Sequence, residues 1–297
     1  MPAPSPYRLR CAISPDADDR FMFRAIEHGL IDLEGLEFDV VARDTEALNQ
    51  MASGDGPDVT AISIAHYPAI RERYLLLNHG GSVGRGYGPV LIARAEKVEA
   101  LKSSLRSARI AVPGLTTTAC LTLRLLTGAT PTDPVFTPVA VPIDPPSRTF
   151  DALRDDSAHG PHLDAALVIH EGRLTYAAEG FALVMDIGER WGALTGLPLA
   201  LGGNVIRREL PADVLARADR VLRASIAHAL GDREAAITYL MTRPGPLRER
   251  SQVDHYLSLY ANADTLDYGA DGREGVQRLL DDGAAAGWTT ACRVDVL

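Results

Sequence analysis

Over residues 8–71 of this 297-residue chain, apolar runs alternate with segments of helical spacing. Arg8 to Ser14, Leu36 to Val41 and Asp58 to Ser63 read as strands. Between them Phe21, Met22, Ile26 and Leu30 keep helical spacing, and Asp44 opens a second helix that passes through Leu48 and Met51 and closes near Gly54. Ile64 to Arg71 reads as a short third helix. Parallel strands need a helix-length connection, so this alternation argues for an α/β fold with parallel strands and covering helices. Asp18 or Asp19 is the expected N-cap of the first helix, because a carboxylate there accepts from the free N–H groups of the first turn. The other reading of Asp16, Asp18 and Asp19 is a cation site, but no glutamate follows at calcium-loop spacing.

The texture then changes. Gly80 to Pro89 is rich in glycine and leads into the apolar run Val90 to Ala93. It has neither the lysine nor the following helix of a phosphate-binding loop. Leu199 to Ile206, with Gly202-Gly203-Asn204, repeats the same texture. The two segments read as paired crossovers, with one lobe at 1–94 and 205–297 and a second, inserted lobe at 95–204. Within the insert, Arg109 to Val112, Val135 to Val141, Ala165 to Ile169 and Leu183 to Asp186 read as strands. Phe150 to Leu153 reads as a helix, and His159 and His162 fall in a polar loop. From Pro211 onward the chain is helical, and Val214, Leu215, Ala218, Val221, Leu222 and Ile226 make one core-facing stripe.

Two α/β lobes would leave a cleft at the strand C-termini, where such sheets bind ligands. Ser14, Thr60, Ser63, Thr116 to Thr118, His170 and the Gly202-Gly203 turn are expected there. Ala165 to Ile169 stops at His170-Glu171-Gly172-Arg173. His170 is either a proton-transfer group or a histidine satisfied by a local backbone group. Thr116 to Thr118 is either an anion pocket at a helix start or a simple threonine cap. The hydroxyl-rich wall suits a small polar or carboxylated ligand. No Gly-x-Ser-x-Gly elbow is present, and no cysteine stands beside a histidine, so nucleophilic hydrolysis has no support. His66 and His170 have no local partners at ligand spacing, so no metal is expected.

Other classes are excluded by composition. The net charge is -9 and the basic residues are scattered, which gives no face for nucleic acid. No apolar run approaches the roughly 20 residues that span a bilayer, and no apolar leader core precedes Cys11. A cytoplasmic protein, monomer or homodimer, is expected. Cys11, Cys120 and Cys292 read as three reduced thiols.

Several strings carry a family resemblance. They are Ser14-Pro15-x-x-Asp18-Asp19-x-Phe21-x-Phe23, Asp58-Val59-Thr60-x-Ile62-Ser63, Gly86-Tyr87-Gly88-Pro89, Val112-Pro113-Gly114-x-Thr116-Thr117, Ile169 to Tyr176 and Gly196 to Arg208. Together they resemble the 1,4-dihydroxy-6-naphthoate synthases of the futalosine route to menaquinone. The resemblance implies a two-lobed fold of the type II periplasmic-binding-protein kind, with two crossover strands and a helical C-terminal segment. It also implies a lyase without a cofactor that acts on cyclic dehypoxanthinyl futalosine. On it, His170 would be the general base, Thr116 and Thr117 would hold the substrate carboxylate, and Ser63 with Thr60 the sugar-derived hydroxyls. The first loop departs from the family: it reads Ser14-Pro15-Asp16-Ala17-Asp18-Asp19, whereas such synthases tend to carry a cysteine and an asparagine–aspartate pair there, and Asp16 and Asp18 add negative charge near the cleft. The alternatives are a non-catalytic small-carboxylate receptor and chorismate dehydratase, the sister enzyme of similar fold.

Overall fold

The computed structural model describes residues 6–143, 147–155, 162–243 and 245–297. His159 lies outside the described residues; His162 is exposed. The strands are β1 (Tyr7–Ile13), β2 (Leu36–Ala42), β3 (Val59–Ser63), β4 (Tyr74–Leu76), β5 (Ser82–Gly84), β6 (Val90–Ala93), β7 (Arg109–Val112), β8 (Thr137–Ala140), β9 (Ala165–Val168), β10 (Ala182–Asp186) and β11 (Leu199–Arg207).

They form two sheets. The first has the order β2-β1-β3-β11-β4, with β5 also paired to β11; the second has the order β10-β6-β9-β7-β8. As the alternation implies, β1 pairs in parallel with β2 and β3, and β7 in parallel with β8 and β9. β11 runs antiparallel to β3, β4 and β5, and β6 antiparallel to β9 and β10. The chain changes sheet between β5 and β6, and again between the helix Ile187–Thr195 and β11. The expected lobe boundaries at 94/95 and 204/205 thus lie a few residues beyond the two passages, because Val90–Ala93 bonds within the second sheet and Leu199–Asn204 within the first.

One apolar cluster runs through both sheets and contains Ile62, Leu91, Ile110, Trp191 and Tyr268. A second joins the helix Ala17–Glu27 to the C-terminal helices through Phe21, Phe23, Val221, Ile226, Tyr256 and Leu257. The stripe on Ala212–Gly231 buries Val214, Ala218, Val221, Leu222 and Ile226 as its spacing requires. All three cysteines are free and buried. No helix of the described residues is long and apolar enough to cross a membrane.

The first helix corrects one expectation. Its N-cap position is Asp16, whose side chain makes no capping bond, while Asp18 and Asp19 lie inside the helix and are buried. The second and fifth strand-to-helix turns behave as expected. Asp44 caps Thr45–Ser53 by accepting from Ala47 N–H at 3.1 Å, and Thr117 caps Thr118–Leu126 by accepting from Cys120 N–H at 3.3 Å.

Candidate active site between the two sheets

The C-termini of β1, β3 and β9 and the turn after β7 converge on a cavity. Its wall includes Ser14, Ser63, Thr117, His170, Gly202 and Gly203. It also includes Asp18, Asp19, Thr45, Thr118 and Tyr256, and no lysine or arginine among the described residues. A broader cleft is lined by Asp16 and Glu171, among others, but it does not reach His170.

Two expected wall residues are elsewhere. Thr60 is fully buried and its hydroxyl donates to the Ala61 carbonyl at 3.1 Å. Its strand neighbours Ala61, Ile62 and Ser63 reach the cavity, and Thr60 does not. Thr116 bridges the halves instead. Its N–H and hydroxyl donate to Glu46 Oε2 at 3.2 and 2.8 Å, and its hydroxyl accepts from Asn49 Nδ2 at 3.0 Å. Asn49 Oδ1 in turn accepts from Ser63 N–H at 2.9 Å.

The remaining hydroxyls differ in what they have left to offer. Thr117 Oγ1 already donates to the Gly114 carbonyl at 2.8 Å while it accepts from Cys120, so it acts as a cap. The free N–H groups of the same helix start are those of Thr118 and Ala119, both on the cavity wall. Ser63 is buried, and its hydroxyl has no hydrogen bond to another described residue. Gly203 is a close-approach glycine: a Cβ there would stand 2.2 Å from the Tyr268 hydroxyl.

His170 follows β9 with φ of 51°, a left-handed conformation that is uncommon for a residue with a side chain. Such outliers persist where the surroundings over-determine them. The turn is anchored downstream, where Arg173 donates to the Gly88 carbonyl and pairs with Asp186, each at 2.6 Å. His170 Nε2 lies 3.1 Å from Thr45 Oγ1 and 3.2 Å from the Asp16 carboxylate. Asp16 accepts from the Ser14 hydroxyl, and Asp19 from Ser14 N–H at 2.5 Å. Glu171 Oε1 accepts from Ala17 N–H at 3.1 Å, so the helix start left open by Asp16 is capped from the opposite half.

Two of the acids packed here and the phenol are shifted by burial and by their charged neighbours. Burial, then the Asp16 charge, pushes the Glu171 carboxyl up to about 8. Burial, with Asp18 and Asp16 nearby, also holds Asp19 well above the usual carboxylate range. Burial, then Asp18, raises Tyr256, which stays a phenol and donates to Asp18 Oδ1 at 2.9 Å.

Asp16, Asp18 and His170 each present a potential metal-ligand atom, all within 4.8 Å of one another. Local spacing hid this set, because the fold brings His170 to the first loop from the other half of the molecule. Each member is already hydrogen-bonded, to Ser14, Tyr256 and Thr45 respectively, so the donor set is that of a polar network around an imidazole. His66 is outside it and pairs with the Ser53 hydroxyl at 2.8 Å. Asp16, Thr45 and Tyr256 as partners of this network were missed. Asp16 and Thr45 had a visible signal in their place next to strand ends. Tyr256 had none, being 238 positions from Asp18.

Residues 9–285 match the protein family described as Menaquinone biosynthesis. A 1,4-dihydroxy-6-naphtoate synthase of Thermus thermophilus is 35% identical over 279 residues, 94% of this chain and 95% of that one. A synthase of the same name from Streptomyces coelicolor is 35% identical over 289 residues, 97% of each chain. A crystal structure of an Archaeoglobus fulgidus protein is 38% identical with a TM-score of 0.82, over 94% of this chain and 98% of that one. The alkanesulfonate-binding protein of Xanthomonas axonopodis pv. citri shares the fold at 16% identity, with a TM-score of 0.67 and 99% of both chains covered. The architecture is therefore that of the periplasmic binding proteins, and the match over nearly the whole chain at this identity means that the chain belongs to the menaquinone-biosynthesis family.

Proposed function

We propose that the protein is a lyase that converts cyclic dehypoxanthinyl futalosine to 1,4-dihydroxy-6-naphthoate without a cofactor, with His170 as general base. The observation that carries this reading is an imidazole held at a strand end, on the wall of a cavity between the two sheets. Loss of a proton beside a substrate carbonyl gives an enolate-like species. Carbon–carbon cleavage then lets the bicyclic product become aromatic. His170 takes that proton. The N–H groups of Thr118 and Ala119, at the turn capped by Thr117, receive the substrate carboxylate. Ser63, Ser14 and the Gly202-Gly203 edge receive the sugar-derived hydroxyls. Two sheets that meet around the ligand act as lobes that exclude water and fix its orientation.

Incubation of the purified chain with the cyclic substrate should release the naphthoate, read by mass spectrometry of the product. His170→Ala should lower turnover by about two to four powers of ten. Undiminished turnover would remove the assigned base. A second reading, a receptor that binds a small carboxylate without turnover, is favoured by one observation: the fold is shared with the alkanesulfonate-binding protein. Tight binding with no product would select it, and turnover of chorismate would select a dehydratase.

A further inference from the structure

We propose that Asp16 is the positioning residue of His170: its carboxylate holds the imidazole through Nε2, so that Nδ1 is the nitrogen that takes the substrate proton. This deepens the reading above and rests on His170 being the base.

Four observations carry it. First, Asp16 stands at an N-cap with extended φ and ψ of -68° and 163°, and aspartate is among the best capping residues, yet it makes no capping bond. Its carboxylate lies 3.2 Å from His170 Nε2 instead. Second, Glu171 of the opposite half accepts the N–H of Ala17, so one free donor of this helix start is met from the other half while Asp16 is turned away from it. Third, Asp16 is buried, and the Oδ2 that faces His170 also accepts from the Ser14 hydroxyl, so Ser14 and His170 share one carboxylate oxygen. A buried carboxylate is stable only when paired or hydrogen-bonded. Fourth, Nε2 is the ring nitrogen with protein partners, Thr45 and Asp16, whereas Nδ1 has none among the described residues.

The tautomer follows from the donor rules. An ionised carboxylate only accepts, so with Asp16 as the partner of Nε2 the hydrogen of the neutral ring sits on Nε2, and the Thr45 hydroxyl, which can donate or accept, accepts there. The lone pair is then on Nδ1. In the reaction, the C–H proton of the substrate moves to Nδ1 and the electron pair it leaves behind passes into the neighbouring carbonyl. The ring becomes an imidazolium whose Nε2–H faces Asp16. Asp16 stays ionised throughout; it orients the ring and offsets the new charge. Asp18, although near, is held on Oδ1 by the Tyr256 hydroxyl.

The test uses the full chain and three variants: Asp16→Asn, Asp16→Glu and His170→Ala. Asp16→Asn should lower kcat by about 10–100-fold, as loss of an orienting carboxylate does, with KM changed less than about twofold; Asp16→Glu should recover part of the loss. Nitrogen-15 spectra of the substrate-free protein should show a protonated Nε2 and a bare Nδ1 in the wild type, and a mixture of tautomers in Asp16→Asn. A wild-type ring protonated on Nδ1, or a KM effect with unchanged kcat, would overturn the proposal. So would turnover that EDTA abolishes and a divalent ion restores, since His170 would then be a ligand. If His170→Ala retains full turnover, the base reading fails by itself, and the tautomer spectra still decide the Asp16 contact.

Discussion

Glu171 is acidic by type and neutral by placement. Its carboxyl ordinarily titrates at 4.5, and here burial moves it to about 8. Below pH 4.5 it holds its proton in both the folded and the unfolded chain. Between 4.5 and about 8 only the unfolded chain releases it, so stability present at low pH is lost as pH rises, and the loss is complete above about 8. Glu171→Gln can still accept from Ala17 N–H but cannot ionise. Thermal unfolding of the two proteins should therefore give a difference in Tm that grows in favour of the variant between pH 5 and pH 8; a constant difference would count against this account. The same residue shows what a sequence leaves unread. Glu171 was legible as the neighbour of a histidine at a strand end, whereas its bond to Ala17, 154 positions away, exists only once two sheets have met. Asp16 was equally visible as one of a run of acids, but nothing local says that it turns from the helix to the ring. Thr60 and Thr116 were misplaced for a related reason. Hydroxyl type predicts a polar wall, and only the burial of Thr60 and the contact of Thr116 with Glu46 say which hydroxyls are on it.

At the scale of elements, the glycine-marked passages were legible because glycine texture breaks the strand and helix periods. The reason for the glycines was not. Gly86, with φ of 77°, has open space around it, and its freedom is conformational. Gly188, at the start of the helix Ile187–Thr195, is sterically locked: a Cβ there would lie 1.9 Å from the Tyr87 carbonyl oxygen. Tyr87 and Gly88 belong to the outgoing passage, so the helix that precedes the return passage is packed directly on the outgoing one. Gly86→Ala should cost about 1 kcal/mol from its left-handed backbone. Gly188→Ala should cost more, about 3 kcal/mol, since backbone rather than a side chain must move. Urea unfolding of both variants checks the order, and equal losses would contradict it. The helices themselves were set by pattern, as in Ala212–Gly231, where the apolar stripe and the buried face coincide.

Across the whole molecule, two contacts span the cavity from opposite sides. One is Thr116 with Glu46 and Asn49; the other is His170 and Glu171 with Asp16 and Ala17. Both pair residues of the first sheet's half with residues of the second, which is why a lobed fold could be anticipated from alternation while its meeting points could not. The wall between them has a further consequence. It carries no cationic side chain among the described residues, and the chain as a whole bears a charge of -9. An organic anion drawn to the helix start at Thr118 therefore approaches against the far field and feels attraction only at the last few ångströms, from amide dipoles. Dissolved salt shortens the reach of the repulsion and leaves the amides untouched. Stopped-flow association should then quicken as ionic strength rises from about 10 to 150 mM, the reverse of a protein that steers its ligand; slower association in brine would mean that arginines outside the cavity guide the anion in.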